Sequence, residues 1–179
     1  MKPKIQKSPY SSPWSVKIQI TLFLWRLTWF WTCAWTPKYL NIWRLFILKL
    51  FGAKIYGIPF VHSTTKIKIP WHLDLKHRAC LGENVVAYSL GEIEIGEGAT
   101  VAQEVYLCTA THDFENPSLQ LITSKISIDK NSFIGARALI LPGVKIGHGS
   151  IVGAMSVVSK SIPPQEIWAG NPAKIVSNK

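Results

Sequence analysis

Ile128-Asp-Lys-Asn-Ser-Phe-Ile134-Gly-Ala-Arg-Ala-Leu-Ile140-Leu-Pro-Gly-Val-Lys-Ile146-Gly-His-Gly-Ser-Ile-Val152-Gly-Ala-Met-Ser-Val-Val158 carries an aliphatic side chain at every sixth position. Four residues after each one stands Ser132, Ala138, Val144, Ser150, Ser156 or Ile162, a mostly small set. This period predicts an all-β solenoid, a parallel β-helix in which each hexapeptide is one short flat strand plus a turn. The large aliphatic fills the narrow interior of a prism, and the small partner lets the chain bend through the corner. Gly135, Gly147 and Gly153 directly follow an aliphatic, in keeping with that geometry. Upstream, the register continues through Leu107, Val101 and Ile95, then Ala87, Leu81, Leu75 and Ile69. Two interruptions break it. Ala87 and Ile95 stand eight residues apart, and the interval from Leu107 to Ile128 must expel a loop at about residues 110–125 containing His112-Asp113-Phe114-Glu115-Asn116-Pro117. Loops ejected from a regular scaffold commonly carry function.

Charge is distributed unevenly along the 179 residues. Eleven Lys and Arg residues precede the first acidic residue, Asp74, whereas residues 74–179 carry nine basic and ten acidic groups, so the net charge of +10 belongs to the N-terminal part. Six of the eight tryptophans, Trp14, Trp25, Trp29, Trp31, Trp35 and Trp43, lie there as well. Basic charge mixed with tryptophan suits an anionic membrane surface. Residues 18–36 are numerous enough to raise the question of a membrane span. Against it, Arg26 near the middle would cost about 2.5–3.5 kcal/mol, Lys17 and Lys38 flank both ends, and Pro37 closes the segment. A helix there sets Gln19, Arg26 and Cys33 on one stripe and Leu22, Trp25, Trp29, Leu24, Leu27 and Trp31 on a wide apolar arc. A second helix over about residues 41–51 puts Ile42, Trp43, Phe46, Ile47 and Leu50 on one side. Both read as helices lying in a membrane interface; the alternative is that they cover the end of the solenoid or an oligomer interface. The chain thus divides into a basic, Trp-rich helical segment, 1–58, that associates with membrane or packs on the rest, and a β-helix domain, 59–179.

No small-residue cleavage site follows the apolar run, which argues against a secretory signal. Nucleic acid is disfavoured as a partner, because the cations alternate with large apolar residues and the repeat region has no excess positive charge. Cys33, Cys80 and Cys108 show no metal-type or redox pairing, which suits a reduced cytoplasmic setting.

The stretches Ile128 to Ala136, Leu141 to Gly147 and Ala169 to Lys174 resemble the left-handed β-helix acetyltransferases of the hexapeptide-repeat superfamily. Thr109-Ala110-Thr111-His112-Asp113-Phe114 is similar to the galactoside and maltose O-acetyltransferases. The colanic-acid-type polysaccharide O-acetyltransferases resemble the chain more closely still, through an aromatic-rich lead ending near Leu50-Phe51-Gly52-Ala53-Lys54. The likeness is strong over about residues 81–176 and looser before them. It implies an acetyl-CoA-dependent O-acetyltransferase acting on a sugar hydroxyl of an exopolysaccharide or a lipid-linked glycan precursor, and a homotrimer with sites between subunits. A peripheral position on the inner face of the cytoplasmic membrane would then give the N-terminal helices a role, and residues 1–50 would be dispensable for work on a water-soluble acceptor.

Such chemistry asks for a base that titrates near neutral pH and for donors to the developing oxyanion, with no covalent acetyl-enzyme. The resemblance assigns the general base to His112. It assigns acetyl-CoA contacts to Phe133, Ala136, Ala154, Ser159, Lys160 and Lys174, the two lysines meeting phosphates. The sugar acetyltransferases have an asparagine-containing acceptor stretch where this chain has Ala87-Tyr88-Ser89-Leu90. Tyr88 and Ser89, together with Asp113, are therefore the candidate acceptor contacts. A zinc reading competes, since γ-class carbonic anhydrases share the β-helix and His72 and His77 have HxxxxH spacing. In that family the single histidine precedes the pair, whereas His112 follows it, and no metal is expected. A soluble small-sugar or xenobiotic acetyltransferase and a non-catalytic β-helix scaffold are the remaining alternatives.

Overall fold

The structure, a computed structural model, describes residues 14–178. Helix α1, Val16–Thr32, is followed by a single turn, Lys38–Leu40, and helix α2, Asn41–Leu50; two- and three-residue strands then wind into a parallel solenoid. Three sheets form the faces of a prism. On the first face the inward positions are Ile55, Leu75, Ile95, Ile128 and Ile146. On the second they are Val61, Leu81, Val101, Ile134 and Val152. On the third they are Ile67, Ala87, Leu107, Ile140 and Val158. All but half-buried Ile55 are buried in one continuous core, so the hexapeptide rung seen in the sequence is the interior of the molecule.

The corners explain the rest of the repeat. The third residue after an inward aliphatic takes a left-handed conformation: Arg78, Asn131 and Gln165 at one corner, and Asn84, Glu104, Arg137 and Met155 at the next. Such a residue costs roughly 1–2 kcal/mol unless it is glycine, and Gly98 and Gly149 occupy two of these places. The small fourth-position residues are all buried, and their hydroxyls are bonded to the next coil: Ser132 Oγ donates to Gly147 O at 2.8 Å and Ser150 Oγ to Pro163 O at 2.6 Å. A glycine directly after the aliphatic is required by close approach of successive coils, since a Cβ on Gly135 would lie 2.5 Å from Ala154 N and one on Gly147 2.4 Å from Pro164 N.

The solenoid is closed at both ends. The antiparallel pair Glu166–Gly170 and Ala173–Asn178 extends the second face at the C-terminal end. At the other end α2 lies against the first strands and buries Leu45, Ile47 and Leu48 in the common core. Arg44 is also fully buried there: Nε donates to Val61 O at 2.8 Å, and Nη1 to Thr36 Oγ1 at 2.8 Å and Pro37 O at 2.9 Å. A guanidinium has five donors in a fixed fork, which is why it can collect the carbonyls of a tight interhelical turn that no helix would satisfy.

Several expectations need correction. The first-coil rung is Ile67, not Ile69, and the interval from Ile67 to Leu75 is a third interruption, with the same eight-residue length as that from Ala87 to Ile95. Parallel pairing already begins at Lys54–Ile55. Helix α1 ends at Thr32, ahead of Pro37, where the Cys33 and Ala34 N–H groups both converge on Trp29 O. Cys33 is buried rather than on a polar stripe, and Ile18, Leu22 and Trp25 form the inward line of α1. In α2 the buried side consists of Arg44, Leu45, Ile47 and Leu48, leaving Ile42, Trp43, Phe46 and Leu50 exposed. The apolar residues of both helices exceed what one face can bury, so a helical wheel does not say which face turns inward. No helix among the described residues is long and apolar enough to cross a membrane.

Candidate active site

All three interruptions leave the prism at the same corner, between the third face and the first. The earliest forms the turn Pro70–His72, the second residues 88–92, and the third a hairpin in which Ala110–His112 pairs antiparallel with Leu121–Thr123. Hydroxyls tie these stacked excursions together. Ser89 Oγ exchanges hydrogen bonds with the N–H and the carbonyl of Ile69, both at 2.9 Å. Thr109 Oγ1 donates to Tyr88 O at 2.7 Å and accepts from Gly91 N at 2.8 Å, while Thr109 O accepts from Ser124 N at 2.9 Å. Helix α1 braces the corner from outside, since Ile18 and Leu22 pack with Ile69, Leu90 and Ala110, and Tyr88 and Leu121 lie against that cluster.

His112 sits at the end of the outgoing hairpin strand, opposite Leu121, and is exposed on the single chain. Its Nδ1 lies 2.6 Å from Leu119 O. A carbonyl only accepts, so Nδ1 carries the proton in this contact and, in the neutral imidazole, Nε2 keeps a free lone pair. The loop that supplies this carbonyl is internally braced. Asp113 Oδ1 accepts from Glu115 N at 3.1 Å, Asn116 Oδ1 from Ser118 N at 3.0 Å, and Leu119 N donates to Asn116 O at 2.8 Å. Leu119 itself has φ +46°, a region a branched side chain enters only when its surroundings impose it. The strained residue is the one whose carbonyl orients the imidazole.

A cleft of about 250 Å³ opens beside the hairpin, lined by His72, Leu90, Gly91, Glu92, Thr123 and Lys125. His72 Nδ1 donates to Ser89 O at 2.9 Å, which leaves its Nε2 as an acceptor as well. Lys125 is paired with Glu94 at 2.6 Å, and that contact holds the Glu94 carboxyl below the usual carboxylate range.

The other sequence candidates are distributed as follows. Tyr88 is half-buried between the corner and α1. Ser89 is fully buried, so its hydroxyl serves Ile69 and its carbonyl serves His72. Asp113 builds the loop turn. Phe133 is exposed on the second face beside Thr100 and Ile151. Ala136 and Ala154 stack at the corner between the second and third faces, joined by Met155 N to Ala136 O at 2.8 Å. Lys174 pairs with Ala169 in the terminal hairpin, whereas Ser159 and Lys160 lie on the His112 corner after Val158. One chain therefore spreads these six residues over the second face and its terminal hairpin (Phe133, Lys174), the corner between the second and third faces (Ala136, Ala154) and the His112 corner (Ser159, Lys160). His72 and His77 do not converge: His77 Nδ1 accepts from Ile58 N at 3.3 Å, away from the Ser89 carbonyl that holds His72, and no cluster of three or more metal-ligating side chains exists among the described residues. Leu119, Glu92 and Lys125 were not singled out by sequence reasoning, and for Leu119 no side-chain signal exists because its carbonyl does the work.

Comparison with known proteins agrees with this geometry. The family profile described as bacterial transferase hexapeptide (six repeats) matches residues 125–160. WcaF of Escherichia coli (strain K12), named for colanic acid biosynthesis as an acetyltransferase, is 39% identical over 146 residues, covering 82% of this chain and 80% of WcaF. The maltose O-acetyltransferase of Clostridium difficile 630 has the same fold, with a TM-score of 0.77 at 23% identity over 92% of this chain and 89% of that one. A hexapeptide-repeat acetyltransferase of Vibrio cholerae O1 biovar eltor, solved with acetyl-CoA, superposes with a TM-score of 0.72 at 21% identity over 97% and 95% of the two chains. The chain belongs to the hexapeptide-repeat acetyltransferases.

Proposed function

We propose that the protein transfers acetyl from acetyl-CoA to a sugar hydroxyl of an exopolysaccharide or lipid-linked glycan precursor, with His112 as general base. The observation that carries this reading is the hydrogen bond from His112 Nδ1 to the Leu119 carbonyl, which makes Nε2 the basic nitrogen of the neutral ring, in an exposed side chain on the corner that holds the polar cleft. Nε2 takes the proton of the acceptor hydroxyl as its oxygen attacks the thioester carbonyl, and the imidazolium returns that proton to the departing thiolate. A polar cleft edged by His72, Glu92 and Lys125 suits an acceptor rich in hydroxyls. The colanic acid biosynthesis for which WcaF is named and the maltose acceptor for which the Clostridium difficile enzyme is named support a sugar acceptor, and the Vibrio cholerae complex supports acetyl-CoA as donor.

The donor residues fit an extended molecule lying along a corner. Ala136 and Ala154 keep that edge low, exposed Phe133 offers an apolar wall, and Lys160 and Lys174 offer charge for phosphates. The separation of Ala136 and Ala154 from Ser159 and Lys160 at two different corners favours a homotrimer, because a three-fold ring of identical prisms sets one corner of a subunit against a different corner of the next. The membrane reading draws on α1 and α2, whose outward Phe23, Leu27, Phe30, Trp31, Trp43 and Phe46 are all exposed beside Lys and Arg residues. On this reading the protein is cytoplasmic and peripheral, with residues 1–51 against the anionic inner leaflet and no nucleic-acid partner.

Thiol release from acetyl-CoA, followed across a panel of sugars for wild type and His112→Ala, tests the activity. Binding of acetyl-CoA by both, with turnover lost only in the variant, is the expected result. Absence of binding in either protein would return the chain to the scaffold reading. Deleting residues 1–50 is a poor test of the membrane role, because it removes Ile18 and Leu22 from the base of the His112 hairpin. Replacing Phe23 and Trp31 by Gln leaves that packing intact. Loss of binding to anionic liposomes, with transfer to a soluble sugar unchanged, is expected; unchanged liposome binding favours the soluble small-sugar enzyme.

A further inference from the structure

Helix α1 and the third face enclose a groove of about 560 Å³, separate from the cleft beside His112. Its floor and wall are Trp25, Trp29, Phe30 and Ile67, with Arg26, Lys66 and Lys68 and the stretch 63–65 at its polar part. Trp25 turns its indole N–H inward to Ile67 O at 2.9 Å, so its ring alone meets the groove, and the Trp29 ring stands 5.1 Å from it. No Asp or Glu lines the groove. Neither the Arg26 guanidinium nor the Lys68 ammonium has a hydrogen-bond or ion-pair partner among the described residues. Burial, and then the neighbouring Arg26 charge, press the Lys68 pKa down. Two cations on one groove, near enough for the charge of one to act on the other and without a counterion, are an arrangement that an anion placed with them favours.

We propose that this groove seats a long-chain lipid phosphate, its phosphate between Arg26 and Lys68 and its first hydrocarbon segment along Trp25, Trp29, Phe30 and Ile67. Charge complementarity selects an anion, and the aromatic floor selects one that carries a hydrocarbon chain. The groove also opens toward the exposed apolar side of α1, where Leu27 and Trp31 continue the apolar surface outward. Its other end points to the reaction site in two ways. Lys68 leads directly into the Ile69–His72 segment, whose His72 borders the cleft, and Tyr88 lines the groove while lying against the cluster that includes Ala110 at the root of the His112 hairpin. The groove is thus a site for the lipid-phosphate portion of the acceptor, an assignment that rests on the reading of that acceptor as lipid-linked.

Calorimetric titration of the full-length protein with farnesyl phosphate, farnesol and inorganic phosphate separates the contributions. Farnesyl phosphate is expected to bind at least tenfold more tightly than farnesol, and inorganic phosphate alone not to bind at the same concentration. The double variant Arg26→Gln/Lys68→Gln should lose at least tenfold for farnesyl phosphate while its farnesol affinity stays unchanged, and Lys68→Arg should keep wild-type behaviour. Circular dichroism of each variant confirms that it is folded. Equal affinity for farnesol and its phosphate, or a double variant that binds farnesyl phosphate like wild type, overturns the proposal. Tight binding of inorganic phosphate by itself overturns it too, in favour of a small-anion site. The same samples, assayed for acetyl transfer to a water-soluble sugar, keep the two readings apart. Absence of phosphate selectivity in wild type with transfer intact refutes the groove alone, and selectivity present with no transfer in wild type refutes the acetyltransferase reading alone.

Discussion

Two of the three corners of this solenoid are uniform, and the third is not. From face one to face two, and from two to three, the chain always moves six residues between inward aliphatics, as in Leu75 to Leu81 to Ala87 and Ile128 to Ile134 to Ile140. Between face three and face one the interval is eight, eight and then twenty-one residues before it returns to six. The uniform corners carry left-handed turn residues and buried serines, groups that stabilise coils. The variable corner carries His72, Tyr88, the His112 hairpin and the polar cleft. Repetition therefore builds the scaffold, and chemistry is placed where repetition is suspended.

The largest effect should come from the least conspicuous change to the fold. His112→Ala removes an exposed side chain that supports no packing, so its melting temperature should stay near wild type, while transfer falls about 10²- to 10⁴-fold, the usual contribution of a positioned base. A parallel fall in stability would mean that the hairpin is part of the scaffold after all. At the uniform corners the opposite split is expected. Ile134→Ala should cost about 2–5 kcal/mol in chemical denaturation. Gly135→Ala should cost about 3 kcal/mol, since the new Cβ meets the backbone of the next coil rather than a side chain that can move away. For the protein that remains folded, kcat at saturating acetyl-CoA should change little for either, whereas KM for acetyl-CoA should rise, since Phe133, Ala136 and Ala154 adjoin the substituted positions.

The same division explains what the residues disclosed before the structure. A period of six is visible from Ile128 to Val158 because each step is identical. Counting on upstream failed at Ile69, because Lys66-Ile67-Lys68-Ile69 offers two aliphatics and the wrong one lies six residues before Leu75. The eight-residue step at Ala87 to Ile95 was the available clue, since the preceding coil repeats it. His112 could be singled out as the candidate base from its motif context, but the contact that orients its ring could not, since Leu119 acts through a carbonyl at a strained φ. Helices α1 and α2 were readable as helices but not as to which side faces in. With apolar residues nearly all round, only packing decides, and in α2 it buries Arg44 for its hydrogen bonds to Thr36, Pro37 and Val61.

Thr109 links the two kinds of corner and should give an intermediate, mixed effect. Val in its place keeps the shape but loses the donor to Tyr88 O and the acceptor for Gly91 N, both in a buried setting. Leaving those groups unpaired should cost about 1–3 kcal/mol. Because they fix the start of the hairpin that carries His112, kcat should fall as well, by more than in Ser150→Ala, whose lost bond lies at a uniform corner. Equal effects of the two substitutions on kcat would remove the distinction between the corners.

The smallest effect tests where the variable corner rejoins the coil. Lys125 ends the excursion and its ammonium lies 2.6 Å from Glu94 on the first face. The hydrogen bond from Lys125 is the chief cause that holds the Glu94 carboxyl below its usual range, and the Lys125, Lys76 and Lys145 charges act in the same direction against burial. A carboxyl with a depressed folded-state pKa stabilises the protein at pH values above its unfolded pKa. That contribution fades as the pH falls from the ordinary carboxylate range through the lower folded value. Wild type should therefore lose stability in this acid window, and Lys125→Ala should start slightly lower at neutral pH and lose less there. Both groups are partly exposed, so the difference should be small and should shrink further in high salt. Unequal acid slopes at low salt that become equal at high salt would locate the clamp at the point of return. Parallel slopes under both conditions would mean that the hairpin is held by Thr109 and the α1 contacts alone.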